Sequence, residues 1–335
     1  MTTRAMVLPV IVGLLVLASS GRAAEPPASA PTLEEVMKNP ARKVGFLRKT
    51  LTLTDGTERV YQAWVPLAYT ADKKWPVILF LHGAGECGTE GEKMLNQGLP
   101  KEIKQRGGKF DFIVVIPQCK FFSLDSSPPP PPDGLKPKFK GGWRDTDEAA
   151  ALGAFRLTLK EYSCDPDRAY LTGLSMGGFG TFAIAMKYPK LFAALVPICG
   201  GGDPARAPKI AHLPTWIWHG DADGVVPVEN SRQMLEAHKS ASAPQVKYTE
   251  LKDVGHSAWD NAYASDALWQ WLGARSRTAA AKNETATTAA KPDAANDSQD
   301  RQPKKMSGDM KPMDGQMRPM DGPVRPMEGR MKPLK

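Results

Sequence analysis

The stretch LTGLSMGGFG, residues 171 to 180, sets Ser175 between Gly173 and Gly177, two positions away on either side. A serine hydroxyl is a weak nucleophile at neutral pH and attacks a carbonyl only when a neighbouring base takes its proton. The base in turn needs a carboxylate to fix its tautomer and stabilise the charged ring. Five histidines and many carboxylates are available for such a relay. The rival reading is a polar residue in a glycine-rich loop, and the surrounding pattern bears on the choice.

Ser175 follows the apolar run AYLTG (169 to 173) and precedes a helix-period segment, 176 to 188. In that strand-to-helix setting G-x-S-x-G lifts the hydroxyl out of the edge of a sheet. A helix beginning at Met176 leaves that residue's N–H without an intrahelical acceptor, so it can donate to a developing oxyanion. The base is expected where a later strand ends, and His256, in DVGHSAW, lies between the last strand-like run and the last helical segment. His82 in HGAGE and His219 in HGDAD directly follow apolar runs and read as turn supports, while His212 and His238 have no glycine context.

For the carboxylate, WHGDADGVVP offers Asp221 and Asp223, which spacing alone leaves tied, with Asp203 after ICGGG as an outside candidate. The second oxyanion donor is expected from HGAGE, at Ala84 or Gly85, with the neighbouring Glu86 read as an ion pair holding the loop. Acyl transfer of this kind calls for no cofactor and no metal.

The elements that must carry these residues are legible as runs. Residues 46 to 66 alternate apolar and polar around Asp55-Gly56, a pair suited to a tight hairpin turn. Short apolar runs follow at 77 to 82, 112 to 117, 169 to 173, 192 to 198, 215 to 220 and 246 to 251, interleaved with helix-period segments at 146 to 161, 176 to 188, 228 to 240 and 258 to 272. The alternation predicts an α/β fold: a mostly parallel, doubly wound sheet with an antiparallel N-terminal hairpin. Residues 119 to 143, which include Pro128 to Pro132, read as a long loop at the carboxyl edge of the sheet. Its Phe121, Phe122, Phe139 and Trp143 would suit stacking on a phenolic group or a sugar ring, or would pack the loop onto the body.

The ends differ in composition. Residues 1 to 24 carry Arg4, an apolar run and a small-residue stretch ending in Ala23-Ala24, the pattern of a secretory signal. The run contains Pro9 and is short for a spanning helix, so export to the periplasm or beyond is expected, without a membrane span after cleavage. Residues 25 to 45 form an N-terminal segment and 46 to 273 the catalytic domain. From 274 to 335 the chain turns to Ala, Thr, Lys and Pro and then to units such as KPMDGQM and RPMDGPV, whose prolines exclude a coiled coil despite the seven-residue period. A disordered tether is expected there; soft-metal binding through its methionines is the alternative.

The formal charge of +8 is concentrated at those ends: the tail holds +5, Arg4 and Arg22 add +2, and +1 remains for the middle. No basic face, and hence no nucleic-acid partner, is implied. Cys87, Cys119, Cys164 and Cys199 leave one or two disulfides open, with buried thiols as the alternative.

Taken together, LFLHGAGE, GLSMGG, WHGDADGVVP and VGHSAW make residues 48 to 273 resemble the α/β-hydrolase superfamily, in particular the small exported esterases similar to feruloyl esterases, polyhydroxybutyrate depolymerases and dienelactone hydrolases, and the catalytic domain of prolyl oligopeptidases. The resemblance implies Ser175 as nucleophile and His256 as base. Its HG-x-x-D-x-x-VP pattern places the acid at Asp223. Dienelactone hydrolases have cysteine where this chain has Ser175. The expectation is an exported serine carboxylesterase acting on small-molecule or polysaccharide-linked esters, such as acyl or phenolic esters of carbohydrates, with a serine peptidase of the prolyl oligopeptidase-like type and a non-catalytic binding protein on the same fold as rivals.

Overall fold

Runs too short for helices become strands buried on both faces. In the computed structural model, which describes residues 32–39, 43–124, 139–243 and 245–278, they form an eight-stranded sheet. The opening hairpin is β1 (Gly45–Thr52) and β2 (Glu58–Val65), paired antiparallel across the Asp55-Gly56 turn. The remaining strands of the sheet are β3 (Trp75–Leu81), β4 (Ile113–Pro117), β7 (Cys164–Leu174), β8 (Ala194–Ile198), β9 (Thr215–Gly220) and β10 (Val246–Leu251). Their order is β1-β2-β4-β3-β7-β8-β9-β10, parallel from β4 onward. β5 (Phe122–Leu124) and β6 (Phe139–Gly141) pair separately within the expected long loop, whose residues 125–138 lie outside the described set. Residues 1–31, which include the expected export signal, and 279–335, which include the repeats, also lie outside it.

Two layers of helix cover the sheet. Along β3, Val77, Leu79 and Leu81 face one way, toward α3 (Asp145–Glu161), α4 (Met176–Lys187) and α5 (Glu229–Ser240), through Phe155, Phe182 and Met234. Ile78 and Phe80 face the other way, toward α2 (Gly98–Gln105), α6 (Ala258–Ala264) and α7 (Asp266–Gly273), through Leu99, Ala262 and Trp269. A short capped helix, α1 (Leu33–Lys38), precedes β1. The single helix expected over 258 to 272 is two: Ser265 is extended at φ −75° and ψ 112° and serves as N-cap for α7. α2 went unpredicted, because its stretch begins with Gly98 and contains Pro100, which is tolerated only in a first turn.

The chain leaves β3 outward to β4 and then returns to β7 on the other side of β3. Connections from β3 and β7 therefore diverge at their carboxyl ends and leave a crevice there. Into that crevice β7 delivers Ser175, through a turn that only glycine permits. A Cβ on Gly177 would overlap the carbonyl oxygen of Leu81 at the end of β3, and one on Gly173 would overlap the carbonyl of Gly177. The first is a backbone atom at the end of β3 and the second one in the first turn of α4, and neither is a side chain able to swing away.

The loop after β3 is held by His82, which is fully buried. Its Nδ1–H donates to the Gly83 carbonyl at 2.6 Å, and its Nε2 accepts the Cys119 N–H at 2.9 Å. Trp143 donates its indole N–H to the His82 carbonyl at 3.0 Å and packs edge-on against the imidazole. A proton on Nε2 would face the Cys119 N–H, so only the neutral ring fits, and burial pushes the His82 pKa from 6.5 down to about 4.

Two stability measurements check this frame. Gly177→Ala is expected to cost about 2–4 kcal/mol in urea unfolding, whereas Gly224→Ala, where a Cβ meets nothing within 4 Å, should change the midpoint little; equal midpoints would refute the close-approach argument. Between pH 6.5 and about 4 the unfolded chain binds a proton at His82 that the folded protein excludes, so stability should fall as pH drops through that window. The fall attributable to His82 is about 1–3 kcal/mol, and a His82→Gln variant with as steep a profile as the wild type would exclude this cause.

Candidate active site

Ser175 sits between β7 and α4 at φ 53° and ψ −118°, a region sparsely populated by residues with a side chain. Its N–H donates to the Ile198 carbonyl at the end of β8, 2.9 Å away, and its carbonyl accepts from Phe179 within α4. The strained turn is thus tied to the neighbouring strand and to its own helix, leaving the side chain to project over the edge of the sheet.

His256 arrives from the loop after β10. Its Nε2 lies 2.9 Å from Ser175 Oγ and its Nδ1 2.7 Å from Asp223 Oδ2. Because a carboxylate only accepts, the ring proton is on Nδ1, which leaves Nε2 to receive the serine hydroxyl. The indole of Trp259 packs edge-on against the imidazole with centroids 5.1 Å apart. Asp223 Oδ1 accepts the N–H groups of Val225 and Val226, each at 2.9 Å. Burial opposes the Asp223 charge, but hydrogen bonds from His256 and from these two amides outweigh it and hold the carboxyl below its usual range.

The other carboxylates have different work. Asp221 accepts the Asp253 N–H at 2.7 Å and so shapes the β10–α6 loop, and Asp203 caps the 3-10 turn Pro204–Ile210 through Ala205 N–H. Of the two aspartates that spacing leaves tied, Asp223 and not Asp221 is hydrogen-bonded to His256. His212 and His238 bond to the carbonyls of Pro189 and Met234, away from the serine.

Facing Ser175, the loop after β3 forms a 3-10 turn, Ala84–Glu86. The Glu86 carboxylate accepts the Gly83 N–H at 3.0 Å, and burial raises its pKa. This corrects the expected ion pair: among the described residues the carboxylate of Glu86 holds the loop through a backbone amide, not a cation. With the Gly83 N–H occupied, the Ala84 and Gly85 amides open the turn without acceptors inside it, as the Met176 N–H does at the start of α4. Gln118 secures the loop from below, donating to the Glu86 carbonyl and accepting from the Gly91 N–H.

All four cysteines are unbridged. The Cys119 thiol donates to the Phe121 carbonyl at 3.4 Å, and Cys199 Sγ approaches the His256 carbonyl at 3.7 Å. Cys199, Asp223 and His256 offer ligand atoms within 4.8 Å of one another, yet His256 Nδ1 and Asp223 Oδ2 are already joined through a proton that a cation would have to displace. Sequence reasoning missed the contribution of His219, whose i, i+4 spacing to Asp223 was the available signal: its Nε2 lies 3.1 Å from Asp223 Oδ2.

Comparison with known proteins places this geometry in a family. A model described as "Putative esterase" matches residues 55–291. The poly(3-hydroxyalkanoate) depolymerase C of Paucimonas lemoignei is 33% identical over 110 residues, covering 22% of this chain and 25% of that protein. Feruloyl esterase B of Talaromyces stipitatus is 22% identical over 214 residues, covering 52% and 55%. The crystal structure of a thermostable esterase aligns with a TM-score of 0.59 and 33% identity, over 69% of this chain and 63% of that one. The chain thus spans about a quarter and about half of the two curated relatives. By the extent of the family match and by its eight-stranded architecture, the chain belongs to this esterase family and has the α/β-hydrolase fold.

Proposed function

We propose that the protein hydrolyses carboxylic esters by two-step acyl transfer, with Ser175 as nucleophile, His256 as general base and Asp223 as the acid that orients it. The observation that carries the reading is the unbroken relay from Ser175 Oγ to His256 Nε2 at 2.9 Å and from His256 Nδ1 to Asp223 Oδ2 at 2.7 Å. Family membership supports an ester as the substrate.

In the first step Ser175 Oγ adds to the ester carbonyl while its proton passes to His256 Nε2. The imidazolium that forms keeps its Nδ1–H on Asp223, whose charge is held in place by the Val225 and Val226 amides. The oxyanion is received by the Met176 N–H at the head of α4 and by the Ala84 or Gly85 N–H from the turn after β3. His256 then returns the proton to the departing alcohol. Water, deprotonated by the same nitrogen, releases the acid from the serine. Nothing in this sequence calls for a cofactor.

For the substrate we favour acyl or phenolic esters, including those of carbohydrates. Phe121, 57% exposed, and Val225, 69% exposed beside the acid, offer apolar surface to such groups. Export directed by residues 1 to 24 is part of the same proposal; those residues lie outside the described set, and among the described residues no helix is long and apolar enough to cross a membrane.

Ser175→Ala should abolish turnover of p-nitrophenyl acetate, butyrate and methyl ferulate, on the order of 10⁶-fold, while urea unfolding stays near that of the wild type. Retained hydrolysis in that variant would sink the assignment. Asp223→Asn should lose about 10⁴-fold in kcat, because an amide presents a donor as well as an acceptor to His256; a loss below tenfold would remove Asp223 from the relay.

A further inference from the structure

A second imidazole touches the acid of the relay. His219, on β9, directs Nε2 at Asp223 Oδ2 from 3.1 Å and at the Val226 carbonyl from 3.0 Å. Both partners only accept, so Nε2 carries the proton. Nδ1 lies 2.7 Å from Ser231 Oγ, on α5, whose hydroxyl also lies 3.0 Å from the Gly200 carbonyl; with the proton on Nε2 and the ring neutral, Nδ1 is the nearer acceptor for that hydroxyl. Neither the His219 nor the Asp223 side chain is exposed to solvent, at 0% each.

The Asp223 carboxylate is therefore saturated. Oδ1 accepts from two backbone amides, and Oδ2 accepts one hydrogen bond from His256 and one from His219. Packing alone would not demand this arrangement, for the fold accepts His238 buried with Nε2 lacking any partner. His219, by contrast, shares its acceptor atom with the reacting ring. Around this pair stand Cys199 from the end of β8, near Asp223, and Glu250, which faces His219 across the β9–β10 ladder and is neutralised by Arg232.

We propose that His219 is a positioning residue for the hydrolysis: its N–H fixes Asp223 in line with His256 and takes up part of the charge on Oδ2. The proposal rests on the Ser175, His256 and Asp223 reading above. Two effects follow from the sharing. Without His219 the carboxylate stays bonded to His256 but loses one of the contacts that fix its plane, and the poorer alignment lowers kcat more than it changes substrate binding. The carboxylate also keeps more charge for the imidazolium of His256, which makes the base harder to deprotonate and moves the rising limb of the pH profile upward.

The experiment compares full-chain wild type, His219→Leu and His219→Gln on p-nitrophenyl acetate across pH 5 to 9, with kcat expressed per site titrated by a fluorophosphonate. Expected for His219→Leu is a ~10–100-fold loss in kcat, a KM within about threefold of wild type, and a rising limb displaced to higher pH. His219→Gln, which restores an N–H near the place of Nε2, should recover much of the loss. Should the leucine variant fail to fold, His219→Asn replaces it, since its shorter amide cannot reach Oδ2. A purely structural role would lower the titrated fraction yet leave kcat per site and the limb unmoved, and that result overturns the proposal, as does a glutamine variant no better than leucine. A wild type without Ser175-dependent turnover would bring down the ester reading and this proposal together; an active wild type beside an unaffected His219→Leu overturns this proposal alone.

Discussion

The site depends on one steric constraint, the approach of the α4 backbone to the end of β3 at Gly177. With no Cβ there, the helix starts directly against the Leu81 carbonyl, and the turn at Ser175 is compressed enough to force a positive φ on a residue that disfavours it. That strain, of order 1–3 kcal/mol, persists only where the surroundings over-determine it. Here they do: Ser175 N–H is tied to β8, Gly178 meets the Ile198 carbonyl, and Gly180 lies under the ring of Trp143. The Ser175 hydroxyl is displayed because the backbone beneath it cannot move.

From that fixed point the sheet order does the rest. β3 and β7 are neighbours whose connections diverge, and β8, β9 and β10 follow in chain order, so the loops carrying Ala84, Ser175, Asp223 and His256 emerge along one edge. Each functional group comes from a different strand end. Their mutual distances are therefore set by strand spacing and ladder register, which are stiff, rather than by the conformation of a single loop.

Histidine chemistry in this protein is decided by neighbours rather than by the ring. His82 meets an acceptor at Nδ1 and a donor at Nε2, which confines it to the neutral state and makes it a buttress for the loop after β3. His256 meets a carboxylate at Nδ1 and a hydroxyl at Nε2, the arrangement suited to moving a proton. His219 meets acceptors at Nε2 and a hydroxyl at Nδ1, so it donates toward Asp223. The same side chain takes three roles according to which atoms surround it.

The sequence by itself determined the fold class, the strand runs 215 to 220 and 246 to 251 to the residue, the strand-to-helix turn at Ser175 and the place of His256 in the loop after the last strand, because hydrophobic period and glycine spacing are local properties. It also read His82 as a turn support. It left Asp221 and Asp223 tied, since two residues in one turn differ only in which way the turn aims them. Burial of Asp223 against His256 and use of Asp221 to cap a distant loop arise from the β9–β10 pairing, a contact between segments about thirty residues apart. The break at Ser265, the backbone role of Glu86 and the second imidazole on Asp223 were likewise decided by tertiary structure. Each depends on which hydrogen-bonding atom packing brings within about 3 Å, and no spacing along the chain encodes that distance.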